Sequence, residues 1–322
     1  MGWPAPIALQ VADDCGSPLT SGSVTVTFSN GDPPVALNLL GPGLWSGTWT
    51  PRSAQSTVTV TANAQSSAGL KGQTQVSGQS RDNAGAPLLQ PSAIVNAAWP
   101  AAPVPLAPGS LVSLFGLGLA TSQQTASGFP LPYTMGGTSV IMAGRELPLL
   151  YAAGSQVNTL IPYDMAFNTR QQLFVQAGGK LTTPQLVSIA AAQPVIFAAA
   201  GWSGGQGLIF VTANGTQTLA SSQHPAAAGD RIVIHASGLG AVDPPFDSST
   251  IPTPPLPQTT NPVSLTIGGV NAPVVSATLS PDVPGLYYVI AIVPEGVTAG
   301  NAVPVILSAA GESSPAVSIG VR

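Results

Sequence analysis

Apolar and polar residues alternate with period two along the first 80 residues. Val24, Val26 and Phe28 are separated by Thr25 and Thr27, and Val58, Val60 and Ala62 by Thr59 and Thr61. Each stretch therefore has one apolar and one hydroxylated face, as a half-buried strand does. Turn formers punctuate the run at Asn30-Gly31-Asp32-Pro33-Pro34 and Gly41-Pro42-Gly43, close to the roughly 8 to 12 residue spacing of an immunoglobulin-like sandwich. The pattern predicts strands near 6–12, 23–29, 35–40, 44–50, 57–64 and 70–77, forming one small sandwich over residues 1–80. Residues 81–92, with Gly, two prolines and no alternation, read as a linker.

From about Ile94 the chain is written twice. Ala107 to Ala120, APGSLVSLFGLGLA, returns as Ala227 to Gly240, AAGDRIVIHASGLG. In both, a glycine (Gly109, Gly229) opens an apolar run and a Gly-Leu pair (Gly118-Leu119, Gly238-Leu239) closes it, the signature of a buried strand between turns. Thr138 to Leu150 lies over Val263 to Val275, Gln156 to Pro162 over Tyr288 to Pro294, and Leu186 to Ile189 over Ala316 to Ile319. Loop lengths differ while the strands stay in step, because insertions cost least in loops. Two further sandwiches of one topology are expected, over 93–190 and 191–322. The expected fold is thus all-β, three tandem immunoglobulin-like sandwiches, with the Gly and Pro density arguing against any helix of three turns.

Composition narrows the partners. Only 6% of residues are charged, against 44% hydrophobic, with 36 Gly, 33 Pro and a net charge of −4; a typical domain carries about 25% charged residues. Asn83–Gly144 and Leu181–Gly229 contain no charged side chain at all. Disordered chains are charge-rich and apolar-poor, the opposite balance. Eight basic residues scattered from Arg52 to Arg322 cannot build the phosphate-neutralising stripe that nucleic acid requires. The single Cys15 excludes an intramolecular disulfide and reads as a small turn residue in DDCGSP. The most apolar window, Ala101–Ala120, is broken by Pro and Gly, so no membrane span is expected. Met1–Gln10 lacks the basic and apolar regions of a secretory signal and reads as the cut end of a longer chain.

No stretch carries a convincing catalytic or metal constellation. Gly201-Trp202-Ser203-Gly204-Gly205 matches G-x-S-x-G, but the following QGLIFVTANG alternates like a strand and not like the helix an elbow serine needs. His224, Asp230 and His235 are spaced unlike common zinc ligands, and His235 falls within a strand where its repeat counterpart is Phe115. Asp13 with Asp14, Asp243 with Asp247, and Asp282 are loop carboxylates of the kind that hold calcium, without a D-x-D-x-D series. A covalent Lys–Asn cross-link would have only Lys71 and Lys180 to draw on, and Asn214-Gly215-Thr216 is the sole glycosylation sequon. No catalytic residue, metal site or cofactor is therefore expected. Trp45 and Trp49 fall on one face of a strand and either fill the small core or form a stacking platform; Trp202 and Tyr287 are the other aromatics that such a platform would use.

Six motifs, IVNAA at 94–98, APGSLVSLFG at 107–116, LLYAAGSQVNTLIPYD at 149–164, PVIF at 194–197, GDRIVIHASGLGAV at 229–242 and GLYYVIAIVPEGV at 285–297, carry a resemblance over about 70% of the chain. Residues 94–321 resemble an uncharacterised C-terminal domain of large secreted acidobacterial proteins, and the two units look like immunoglobulin-like folds of the IPT/TIG type preceded by a bacterial Ig-like module. The resemblance implies export and an extracellular or cell-surface location, with no assigned activity. The expectation is a non-catalytic rod acting as spacer, adhesin or filament subunit, touching protein or matrix. Self-association would use Ile7–Val11 or Ala316–Val321 as donor strands, since few charges protect the sheet edges. The alternative is a carbohydrate-binding module using exposed aromatics.

Overall fold

The computed structural model describes every residue except 1, 99–103, 200–204 and 214. The described chain is all-β, with no helix, in antiparallel sheets that form three successive units.

The first unit contains β1 (Ala5–Gln10), β2 (Gly22–Phe28), β3 (Val35–Gly41), β4 (Leu44–Trp49), β5 (Gln55–Ser66) and β6 (Lys71–Ser80), in the order β1-β4-β3-β2-β5-β6. β3 joins the two halves: Val35, Ala36 and Leu37 pair with β2, whereas Asn38 to Gly41 pair with β4 through an irregular register. The period-two residues Val24, Val26, Phe28, Val58 and Ala62 converge on one core with Leu37, Trp45 and Trp49. Trp49 stacks on Phe28 with centroids 4.5 Å apart, and its indole N–H donates to Asp32 at 2.8 Å; the Trp45 N–H donates to the Leu19 carbonyl at 3.3 Å. Both indoles are only 5% exposed, so neither forms the stacking platform. A unit this small has few large side chains, and two indoles with satisfied N–H groups supply much of its core. β6 is different: nine of its ten residues are exposed, and it pairs with β5 alone.

The second unit holds β7 (Leu88–Asn96), β8 (Leu111–Leu117), β9 (Gln124–Thr125), β10 (Thr138–Met142), β11 (Arg145–Glu146), β12 (Leu149–Ala152), β13 (Gln156–Leu160), β14 (Thr169–Ala177), β15 (Lys180–Leu181) and β16 (Gln185–Ile189). The third holds β17 (Val195–Ile196), β18 (Ile209–Ala213), β19 (Thr216–Leu219), β20 (Arg231–Ser237), β21 (Val242–Asp243), β22 (Gln258–Thr259), β23 (Val263–Ile267), β24 (Val270–Ala272), β25 (Val274–Leu279), β26 (Tyr287–Ile292), β27 (Gly300–Ala309), β28 (Glu312–Ser313) and β29 (Val317–Val321). One sheet of the second unit runs β7-β8-β13-β12-β9, and in the third β20-β26-β25-β22 follows the same path. The facing sheet is β11-β10-β14-β15 with β16, matched by β24-β23-β27-β28 with β29. Register is kept too: Phe115 faces Gln156, and His235 faces Tyr288. Even the opening turn is preserved, since Ser110 Oγ accepts from the Ala107 N–H as Asp230 Oδ2 does from the Ala227 N–H. The units diverge at one edge. There β7, with its break between Leu89 and Ile94, is replaced by β17 and β18, and the β18–β19 hairpin widens the sheet.

The stretch read as a linker is held in place. β7 begins inside it at Leu88, the Asn83 amide donates to the Leu181 carbonyl at 2.8 Å, and Lys180 donates to the Ala84 carbonyl at 2.7 Å. The terminal strands are both paired within the chain's own sheets. β1 pairs along its length with β4 and β29 with β27, while the other edge of β29 is bonded by Gly207 and Ala226. β6 is the long edge left open.

Between the second and third units the packing is continuous. Leu160 and Tyr163 of the second belong to the same buried cluster as the core of the third. Tyr163 and Tyr287 meet edge to face at 6.3 Å. The Gly285 N–H donates to the Tyr163 hydroxyl at 2.9 Å, the Tyr163 N–H to Ser248 Oγ at 3.0 Å, and the Tyr287 hydroxyl to the Gly240 carbonyl. Tyr287, a candidate contact aromatic from the sequence, is 0% exposed and serves this junction, with no face left for a ligand. Burial raises both phenol pKa values, so both rings stay protonated at neutral pH.

Candidate functional site

The outward-facing aromatics lie one residue away from the one expected. Along β26 the inner face takes Tyr287, Val289 and Ala291, which leaves Tyr288 pointing outward. Along β20, Ile232, Ile234 and Ala236 are inside, and His235 shares the outer face with Tyr288, its direct partner across the ladder. Phe210 on β18 completes the row: its ring lies 4.9 Å from that of His235, and His235 is stacked on Tyr288 at 4.9 Å with 23° between planes. Three rings from three adjacent strands thus form a ladder across the solvent side of the widest sheet, each ring part-exposed.

Electrostatically the ladder is quiet. Burial lowers the His235 pKa, partly opposed by the nearby Asp282 carboxylate, so the imidazole is neutral at pH 7. Its Nε2 is shielded and has no hydrogen-bond partner, an arrangement that penalises protonation. Burial raises the Tyr288 pKa, and its hydroxyl donates to Asp282 Oδ2 at 3.1 Å. Asp282 is held by its turn, where Ser280 Oγ accepts from the Asp282 and Val283 N–H groups. Phe210 tilts 43° from His235, whereas His235 and Tyr288 are stacked, so the row is stepped; an uncharged ring in it can stack on an apolar ligand face, with a carboxylate at the rim to accept a hydrogen bond beside it.

The other candidates stand apart. Trp202 and Ser203 lie outside the described residues, as does Asn214 of the sequon. His224 is exposed in a turn closed by its own backbone bonds to Ser221. The Asp230 carboxylate caps the Ala227 turn, and that of Asp247 accepts from the Ser249 N–H and hydroxyl. Asp13, Asp14 and Cys15 come together on the surface, where Asp13 Oδ1 already accepts from the Cys15 and Ser17 N–H groups. The ladder itself was hidden because Tyr287–Ile292 is apolar on both phases. The duplication held the signal that could have found it: the repeat counterpart of Tyr288 is the polar Gln156.

No protein-family model matches the chain, and no curated protein does. Among solved structures it is similar to the glucan-utilization-locus protein SGBP-B of Bacteroides ovatus in complex with a mixed-linkage heptasaccharide, at 13% identity over 99% of this chain and 64% of that one, TM-score 0.34. It is also similar to the surface glycan-binding protein PbSGBP-B of Prevotella bryantii, at 11% identity over 72% and 41% of the two chains, TM-score 0.24. A third is a 1.5-MDa bacterial ice-binding adhesin, at 14% identity over 99% and 90%, TM-score 0.20. The chain spans less than two thirds of the first two. Likenesses at these TM-scores define neither a shared function nor a shared order of domains.

Proposed function

We propose that this chain is a non-catalytic, contact-bearing protein of the cell surface or extracellular matrix, a stack of immunoglobulin-like sandwiches that presents the Phe210–His235–Tyr288 ladder to its ligand. The observation that carries the reading is the ladder: three rings packed in sequence, Phe210 on His235 and His235 on Tyr288, kept on the outer face of a sheet whose inner face packs in the core. Aromatic rings usually go inward, so a row left at the surface marks a contact site. The firm junction between the second and third units supports a load-bearing role, and the scarcity of charge suits attachment to neutral surfaces. A neutral saccharide is the ligand class the ladder favours, because the apolar face of a sugar ring can stack on an exposed ring such as Tyr288 and Asp282 can accept from a hydroxyl.

The test is binding of the purified chain to an array of neutral glycans and to insoluble polysaccharide, alongside Tyr288→Ala. Retention by at least one neutral glycan, lost about tenfold or more in Tyr288→Ala, is expected, since ring stacking is worth about 0.5–1.5 kcal/mol per pair beyond area burial and the exposed area is lost as well. Full retention by the folded variant would remove the ladder from the function.

A further inference from the structure

A second site lies between the first and second units, built from different chemistry. The outer faces of β1, β3 and β4 approach the outer faces of β10 and β14 and leave a cleft of about 470 Å³, within the usual range for small-ligand sites. Apolar surface comes from Trp3, Leu40, Leu44 and Ile141 over the buried Phe174, and polar groups from Asn38, Gln172, Gln176 and Arg170. No Asp or Glu lines it.

Two features point to a ligand. The one ion pair among the described residues joins Arg145 to Asp164; Arg170, exposed and like the other basic residues without a carboxylate partner, is the one cation that lines this cleft. The side chains of Asn38, Gln172 and Gln176 likewise make no hydrogen bond to the described residues, so the cleft offers amide donors and acceptors beside an apolar floor. Amides match sugar hydroxyls, an indole such as Trp3 matches a sugar face, and a planar guanidinium matches a carboxylate in a bidentate fork. Charge complementarity then selects an acid over a neutral sugar.

We infer that this cleft binds an acidic saccharide, with Arg170 pairing the carboxylate of a uronate residue and the amides holding its hydroxyls. The inference does not depend on the ladder of the third unit, which takes a neutral face and has a carboxylate of its own at the rim. The test is titration calorimetry of the full chain with oligomers of galacturonate, glucuronate, mannuronate and guluronate, each beside its carboxyl-reduced, neutral counterpart. At least one uronate oligomer should bind, its reduced counterpart about tenfold or more weaker. Arg170→Gln should lose about ten- to a hundredfold, and added salt should weaken the wild type but not the variant. Gln176→Ala, also at an exposed position, should lose a smaller factor, and Tyr288→Ala should bind the acid unchanged. Failure of every uronate at millimolar concentration, equal affinity for the reduced oligomer, or full affinity in Arg170→Gln would overturn the assignment. Loss in Tyr288→Ala with Arg170→Gln intact would also overturn it, while leaving the ladder as the contact site.

Discussion

The duplication supplies a matched pair of perturbations, Gly109→Ala and Gly229→Ala. Both glycines occupy the same position of the same turn with positive φ, +73° and +85°. In both, the N–H donates at 2.9 Å to a carbonyl, Ile161 or Val293. A side chain therefore meets the same backbone penalty twice, about 1–2 kcal/mol for a left-handed residue. Their surroundings differ. A Cβ on Gly229 would meet nothing within 4 Å, whereas a Cβ on Gly109 would lie 2.1 Å from the Tyr287 hydroxyl and 2.7 Å from the Tyr163 ring. Both tyrosines are buried, with little room to withdraw, so overpacking adds about 1–3 kcal/mol. The expected losses are about 1–2 kcal/mol for Gly229→Ala and about 2–5 kcal/mol for Gly109→Ala. Urea unfolding followed by circular dichroism measures the difference, and hydrogen exchange locates it. Exchange should rise on both sides of the junction, at β13 and β26, only in Gly109→Ala. Adding Tyr287→Phe to Gly109→Ala should recover part of the loss, a non-additive result that reports the hydroxyl contact. Equal losses in the two single variants, with no coupling to Tyr287, would refute the interlocked junction.

Two further outcomes follow from the same geometry. Tyr163→Phe keeps the ring but strands the buried Gly285 N–H, so it should cost about 1–3 kcal/mol, read as a lowered urea midpoint with unchanged slope. His235 has a folded-state pKa below its unfolded value, so the folded state binds fewer protons. The corresponding stability is present above about pH 6.5 and declines as pH falls from there towards the folded pKa. His235→Phe, which installs the ring found at the matching Phe115, should remove that component. Thermal midpoints from pH 8 to pH 4.5 should therefore diverge between the two proteins below about pH 6.5, and parallel curves would count against a desolvated imidazole.

Much of the fold could be read from local pattern. The strands expected near 23–29, 35–40 and 44–50 lie at Gly22–Phe28, Val35–Gly41 and Leu44–Trp49, because alternation and turn residues act over a few positions. The repeat of APGS in AAGD foretold a shared turn, and the same side-chain cap closes both copies. The site was less legible. Trp45 and Trp49 met the criterion for a platform as well as that for a core, and sequence spacing alone does not say which face of a strand is covered. At Tyr287 and Tyr288 both phases are apolar, so the phase is set by which strand packs behind them.

The sequence by itself determined the class of protein: all-β, built from short strands, two of its three units copies of one pattern, with charge scarce along its length. Those properties are sums over local preferences. Only the tertiary structure decided that Tyr287 seals a junction while Tyr288 faces water, that the composition-poor stretch after Ser80 is clamped by Asn83, and that Arg170 stands unpaired beside Gln172 and Gln176 at the meeting of two units. Each is a contact between residues distant in the chain, set by how finished units pack on one another. No local pattern encodes that packing, because it depends on surfaces that exist only after the strands have paired.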